Sequence, residues 1–305
     1  MDVELIHLRT LTAIARHGTF SRAGESLRLS QPAVSHHIRH LETALGTRVL
    51  ERMGKRVGVT RAGEIILERS RRIFDELDAA AQEIQRLRGV VSGRVRLGTG
   101  ATASIYFLPT LLRRLRRRFP DLELMVVTGN APEIAAGVVA GDLDLGVVTL
   151  PVPEARLHVS PFWTDSLVAI VPSEGPWKLK RPAAPTDLAR VPLIVYERGG
   201  SIRRVIDDWF RRGGVTPRIA MELGNAEAIK ELVAAGLGIA ITSAVTITAD
   251  TARGTIKVVP LAPPLARRLG VIRKKRGAAS PAVTLVLDAL LAFEPDERSA
   301  RRRAR

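Results

Sequence analysis

The stretch Leu29 to Gly46, LSQPAVSHHIRHLETALG, decides how the N-terminal part of this chain is read. Ser30 can accept a hydrogen bond from an unpartnered amide of a helix's first turn, and Pro32 fits that turn, where its missing N–H costs nothing. Val34, Ile38, Leu41 and Leu45 recur at helical spacing as one apolar stripe, and Gly46 stops the helix. With that stripe inward, Gln31, Ser35, His36, Arg39 and His40 are pushed toward the outer faces, available to something outside the domain.

Working outward, Leu5, Leu8, Leu11, Ile14 and Ala15 share a helical face in a first helix that ends at Gly18, and a second helix opens at Ser21. Two short helices joined by a tight turn, the second presenting a polar, cationic N-terminal half, match a helix-turn-helix reader in a major groove. RVLERMGKRVGVT, residues 48–60, sets Gly54 and Gly58 around Lys55 and Arg56, which suits a β-hairpin wing touching phosphates. Residues 1–60 are thus expected to form a winged helix-turn-helix, with Lys55 and Arg56 joining the outward groups of the third helix as DNA contacts. His36 and His40 stand at i and i+4, a spacing that also serves metals, but no H-E-x-x-H pattern accompanies them. A merely solvated face is the other alternative; DNA contact is the reading that unites the capped helix, the wing and the charge balance.

That balance is 47 Lys and Arg against 31 Asp and Glu in 305 residues, a formal +16. It favours a polyanionic partner, nucleic acid first and a membrane surface second. Forty of the 47 are Arg, a bias that genomic base composition can also produce, so charge alone decides nothing. The absence of cysteine excludes a disulfide framework, thiol catalysis and Cys-ligated zinc. MDVELIHLRT carries acids where a signal peptide carries positive charge, and no apolar run approaches the ~18 residues of a membrane span. A cytoplasmic protein with no membrane partner is expected.

From Thr60 to Arg88 no proline interrupts a helix of ~43 Å. Ile66, Ile73, Leu77, Ala80, Ile84 and Leu87 recur at separations of one heptad and then alternating fours and threes, the 3.5-residue repeat of a two-helix seam. Residues 61–88 are read as a linker and dimerisation helix, against the plainer alternative of an amphipathic helix packed on its own chain. Residues 89–93, small and glycine-containing, make a hinge. Strand and helix patterns then alternate, which predicts a parallel α/β effector module over 94–305. One lobe covers about 94–165 and 267–294, a second about 166–266, with crossing strands between and a cleft where the lobes face each other. The basic tail 295–305 reads as a solvated end, with extra phosphate contact as the alternative.

Gly98, Gly100 and Ala103 fit G-x-G-x-x-A after a strand, which makes a nicotinamide-dependent oxidoreductase the rival function. The fingerprint needs an acid ending the next strand, yet that strand ends in Thr128, Gly129 and Asn130. His158, the only histidine after residue 40, falls between prolines in an expected loop, so no proton-transfer group is evident. Anion capture at helix N-termini uses the same turn better. Thr102, Ser104, Thr128, Asn130, Thr149, Ser201 and Asn225 all fall at strand-to-helix junctions, where ligands of open α/β sheets bind. Each is individually more often an N-cap; Arg203 or Arg204 could pair with a ligand anion or line an exposed helix face.

FSRAGESLRLSQPAVSHHIRHLETALGTRVLER, VGVTRAGEIIL and GNAEAIKELVAAGLGIAI together resemble the LysR-type transcriptional regulators, over essentially residues 3–294. The resemblance implies a winged helix-turn-helix, a long linker helix and a two-lobed, periplasmic-binding-protein-like α/β effector module, without catalysis or cofactor. It implies a homodimer or homotetramer on double-stranded promoter DNA, responding to a small, anionic effector between the lobes. By motif position it implies base contacts from Gln31, Pro32, Ser35 and His36, phosphate contacts from Arg39, Arg52 and Arg56, and effector contacts from Thr102, Thr128 and Ser201. Many members carry Arg or Gln where this chain has His36 and His37, and an imidazole cannot reproduce the bidentate contact of Arg to guanine. MELGNAEAIKELVAAGLG and GGSIRRVIDDWF look most like members controlling carbon-fixation or cysteine-synthesis genes. A constitutive, ligand-free chromosome-binding protein is the third reading.

Overall fold

A computed structural model describes residues 2–53, 56–87, 92–177, 179, 181–247, 254–275 and 279–293, with all their side chains except those of 52, 53, 56, 82, 83 and 85–87. The chain divides into two compact units, Met1–Ala81 and Gln82–Arg305. The expected hinge, 89–93, falls largely outside the described residues and the tail, 295–305, wholly so.

The first unit opens with α1 (Leu5–His17), α2 (Phe20–Leu27) and α3 (Gln31–Leu45). The α1 helix stops at Gly18, which takes φ +73° and hands its carbonyl to Val57 N at 3.1 Å. Its buried face differs from the expected one: Leu5 is exposed and Ala15 faces solvent, whereas His7 and Thr10 are buried beside Leu8, Leu11 and Ile14. Thr19, not Ser21, caps α2, accepting from Arg22 N at 3.3 Å. Ser30 caps α3 through Ala33 N at 3.4 Å, Pro32 sits in the first turn, and Gly46 closes the helix in the left-handed region, as the residue pattern requires. Val34, Ile38 and Leu41 are buried against Leu8, Leu11, Ile14 and Ala23, with Leu45 packed at the edge. Each large aliphatic chain so removed from water stabilises the fold by about 1.5–3 kcal/mol.

Strands β1 (Leu50–Met53) and β2 (Arg56–Val59) form the antiparallel hairpin. Helix α4 (Arg61–Leu87) follows, about 40 Å long, and the division between the units falls within it. Gly63 is where α4 meets the hairpin base: a Cβ there would lie 2.1 Å from the Val49 carbonyl oxygen, so only glycine fits. Ile66 of the expected seam is instead half-buried against the core of α1–α3, together with Leu67 and Phe74. Ile73, Leu77 and Ile84 are 42%, 46% and 56% exposed.

The second unit is a nine-stranded sheet with helices on its faces. In chain order it comprises β3 (Gly93–Thr99), α5 (Ala101–Tyr106), α6 (Leu108–Arg118), β4 (Leu122–Thr128), α7 (Ala131–Ala140), β5 (Leu145–Thr149) and β6 (Leu157–Pro172). It continues with α8 (Pro185–Leu188), β7 (Leu193–Tyr196), α9 (Ser201–Arg212), β8 (Ile219–Leu223), α10 (Ala226–Ala234), β9 (Ile239–Ser243) and a 3-10 turn at Ala244–Ile247. The last elements are β10 (Ile256–Val259), β11 (Leu265–Lys274) and α12 (Pro281–Leu291). The strand order is β4-β3-β5-β11-β6-β9-β7-β8, with β10 also beside β6. The outer trios are parallel, as β-α-β connections demand, and the antiparallel pair β6 and β11 joins them.

Two features of the module depart from the sequence reading. SIYFLPTLLRRLRRRF, which reads in sequence as one helix over 104–119, is broken at Phe107, with Pro109 in the first turn of α6 where proline is tolerated. His158 lies in β6, opposite Arg273, not in a loop. The nearby Pro161 stands where the register slips between Leu269 and Gly270, and before Leu167, where pairing of β6 with β9 begins, positions at which a strand tolerates proline. Separate apolar clusters underlie the lobes. Val95, Leu97, Leu108, Leu145, Val271 and Val286 centre one, while Ile170, Leu193, Ile206, Phe210, Ile229 and Ile241 centre the other.

Candidate nucleic-acid interface and ligand cavity

On α3 the buried ridge leaves Gln31, Pro32, His36, Arg39 and His40 exposed and Ser35 half-buried. The backbones of Arg52 and Arg56 lie in the hairpin strands, but their side chains, and all of Lys55, fall outside the described residues. The helix is fixed to that hairpin by Glu42, whose carboxylate accepts from Val49 N at 2.9 Å and Leu50 N at 3.4 Å. No sequence pattern flags this tie, because a glutamate late in a helix reads as solvated.

Behind the outward face stands a histidine cluster spanning α1 and α3. The His7 ring lies 5.5 Å from those of both His37 and His40, and His36 lies 5.2 Å from His40. Hydrogen bonding assigns the protons. His7 Nδ1 accepts from Glu4 N at 3.3 Å, so the neutral ring carries its hydrogen on Nε2. Thr10 Oγ1 donates to the Ile6 carbonyl at 2.7 Å and therefore accepts from His37 Nδ1 at 3.0 Å. Burial holds the His7 imidazole below its usual pKa, with His37 and His40 adding to the depression and Glu4 and Asp2 opposing it. Among the described residues no group of three His, Cys, Asp or Glu is placed to hold a metal ion.

In the second unit a cavity of about 420 Å³ opens between the lobes. Thr102, Thr128, Asn130, Thr149, Ser201 and Asn225 all line it; Ser104 does not, and its hydroxyl donates to the Ala101 carbonyl at 2.8 Å. The helices that open on the cavity fall into two kinds. Asn130 and Asn225 cap α7 and α10, accepting from Glu133 N at 3.0 Å and Ala228 N at 2.9 Å, so their side-chain oxygens are occupied. By contrast α5 and α9 begin after Gly100 and Gly200 with no side-chain cap. The Ser201 hydroxyl, buried at the start of α9, has no hydrogen-bond partner among the described residues. Gly98 has a packing role: a Cβ there would meet Leu143 at 2.6 Å and Ile134 at 2.9 Å.

The sequence reading missed the floor of this cavity. Arg267, only 8% exposed, donates from Nε to Asp165 at 2.7 Å, and its Nη1 stands 3.5 Å from Thr149 Oγ1. Asp165, 1% exposed, also accepts from Ser243 at 2.6 Å. The pair faces across β6 and β11, 102 residues apart, which puts it beyond any local motif. Tyr196 lines the same floor, bonded to Thr242 at 2.8 Å, and burial pushes its phenol pKa up, so it stays neutral. Arg203 has neither of its expected roles: it is buried and held by Asp207 at 2.9 Å, Glu222 at 3.3 Å and the Tyr196 carbonyl at 2.6 Å. Arg204 is exposed, and neither lines the cavity. A second polar tie joins the lobes, where Tyr106 donates to Glu227 while the buried Lys230 donates to Tyr106 at 3.0 Å and to the Thr246 carbonyl at 2.7 Å.

Comparison with known proteins places both regions. Residues 5–64 match the bacterial regulatory helix-turn-helix proteins of the lysR family, and residues 88–294 match the LysR substrate binding domain. The chain is 32% identical to the HTH-type transcriptional regulator CbbR of Xanthobacter flavus, covering 94% of this chain and 86% of that protein. It is 30% identical to the RuBisCO operon transcriptional regulator of Acidithiobacillus ferrooxidans, with 96% and 94% covered, and 30% identical to the transcriptional activator CmpR of Synechocystis, with 96% of each covered. Among solved structures, a full-length OxyR from Pseudomonas aeruginosa shares the fold with a TM-score of 0.74 at 24% identity, covering 99% and 95%. Full-length CbnR in complex with its target DNA does so at 0.63 and 24%, covering 99% and 100%.

Proposed function

The chain belongs to the LysR family of DNA-binding transcriptional regulators, and on that premise we propose that it binds promoter DNA as a homo-oligomer and answers to a small anionic metabolite held between its lobes. The observation that carries the reading is the division of α3: its aliphatic ridge is buried while Gln31, His36, Arg39 and His40 face solvent. Gln31, Pro32, Ser35, His36 and His40 read bases or their immediate surroundings; Arg39 with Arg52, Lys55 and Arg56 of the hairpin engages phosphates.

Oligomer formation is supported by α4, where Ile73, Leu77 and Ile84 expose apolar surface at coiled-coil spacing. A second copy would cover that ridge and set two reading heads on a two-fold operator. The effector occupies the cavity lined by Thr102, Thr128, Thr149 and Ser201, with Asn130 and Asn225 contributing their amide hydrogens. The names of the curated relatives make a carbon-fixation operon the expected target. No helix among the described residues is long and apolar enough to cross a membrane.

The effector acts through its preference for one arrangement of the lobes, so coupling of about 1–3 kcal/mol, a modulation rather than an on-off switch, is expected. Footprinting on the intergenic region beside its own gene, with and without pooled cellular metabolites, tests the proposal. A discrete footprint whose extent or bend changes with metabolites supports it. Uniform coverage of all DNA refutes sequence reading, and an unchanged footprint refutes the effector.

A further inference from the structure

The cavity floor contains polar groups whose donor capacity the protein leaves unused. A guanidinium carries five N–H groups. Among the described residues Arg267 commits one to Asp165 and directs one at Thr149, leaving three without a partner while only 8% of the residue meets solvent. Thr149 Oγ1, approached by Arg267, keeps its own hydrogen to give. The Ser201 hydroxyl is buried and unpaired, and the first amides of the twelve-residue α9 have no side-chain cap. Buried donors without acceptors are costly, more so when charged. A ligand group that relieves all of them must be rich in acceptors.

We propose that Arg267 anchors an oxyanion of the effector, a carboxylate or phosphate, with Asp165 as the positioning residue that holds the guanidinium so that its free edge faces the cavity. This rests on reading the cavity as the effector site. It adds which group of the effector is recognised, by which residue, and from which part of the fold. The anchor stands on β11, one of the two strands shared by the lobes; it touches Thr149 of lobe 1 directly and reaches Ser243 of lobe 2 through Asp165 on the other shared strand, β6. An oxyanion bridging Arg267 and the start of α9 therefore links the crossing strands to lobe 2. Because Asp165 already balances the charge of Arg267, selectivity comes from directed N–H and O–H donation and the helix terminus rather than from net charge, which favours compact, multidentate anions.

Calorimetric titration of the full-length chain with inorganic phosphate and, separately, with malonate tests this and tells the two anion classes apart. The unsubstituted protein is expected to bind at least one saturably, Arg267→Gln to lose about tenfold or more in affinity, and Ser201→Ala to lose less. Arg267→Gln strands a buried carboxylate and can unfold the module, so Asp165→Asn combined with Arg267→Gln removes both charges together. Loss of anion affinity in that folded double variant supports the assignment. Undiminished affinity in it, or no saturable binding of either anion to the unsubstituted chain, overturns it. The footprint response separates this from the broader reading: a metabolite response kept by the double variant refutes the anchor and leaves the effector cavity standing. Anion affinity lost in the variant, with no metabolite response in the unsubstituted protein, supports the anchor and refutes the effector role.

Discussion

The helical head and the α/β module dispose of charge in opposite ways. On α3 the chargeable groups His36, Arg39 and His40 stand in solvent, spread over a convex face. In the module Asp165, Arg267 and Lys230 are each less than a tenth exposed, and each is held by at least one partner from another element. An exposed face costs little to maintain and can be exchanged residue by residue, which suits a surface that must match a sequence of bases. A buried charged floor is expensive and interdependent, which suits a cavity that must hold donors in fixed directions before a ligand arrives. His7 is the exception in the head, a titratable ring inside the α1–α3 seam.

The contrast can be broken experimentally, beginning with its largest expected consequence. Asp165→Ala leaves a buried guanidinium without its carboxylate and should cost the module about 3–5 kcal/mol. All three tryptophans, Trp163, Trp177 and Trp209, lie in the module, so urea unfolding followed by their fluorescence reads that loss without interference from the head. A cost below about 1 kcal/mol would place the pair among ordinary surface ion pairs. Next, His36→Ala should leave folding intact and reduce preference for the operator over random duplex by about 1–3 kcal/mol; equal losses on both would show that it reads no bases. Ser30→Ala removes the cap of α3 and should lower head stability by about 1 kcal/mol, seen as earlier loss of helical circular dichroism on heating.

The smallest effect is on pH. With the folded pKa of His7 depressed, the unfolded chain binds more protons as pH falls below about 6.5, so stability is greatest above that value and declines toward the folded pKa. Melting of the head at a series of pH values should show this slope, and His7→Gln should flatten it. An unchanged slope in that variant would assign the effect to other groups.

The legibility of the sequence follows the same divide. Helix α3 declared itself because cap, proline, ridge and terminal glycine lie within eighteen consecutive residues, and the outward set follows from the ridge by geometry alone. The cavity hydroxyls Thr102, Thr128, Thr149 and Ser201 were legible because helix and strand ends are local signals. Arg267 and Asp165 were not, since their meeting depends on the antiparallel register of β6 and β11. Strand β6 itself was hidden by Pro161, which reads as a breaker until the slipped register is seen. His7 and Thr10 fall outside the apolar stripe read for the first helix, yet hydrogen bonds with Glu4 and His37 make them interior. Arg203 repeats that lesson on α9.

Strands β6 and β11 also set the order in which the protein can be completed during synthesis. The core of lobe 2 is assembled almost entirely from Leu167 to Leu265, one uninterrupted run. Lobe 1, begun earlier at Val95, draws Leu269, Val271, Ala282, Val286, Leu290 and Phe293 into its core. The ribosome therefore releases an apolar half-lobe well before its missing strand and helix exist, and the later lobe can close first. That interval, with β3 and β5 awaiting their last neighbours, is where a chaperone or an aggregation-prone encounter would act on the nascent chain.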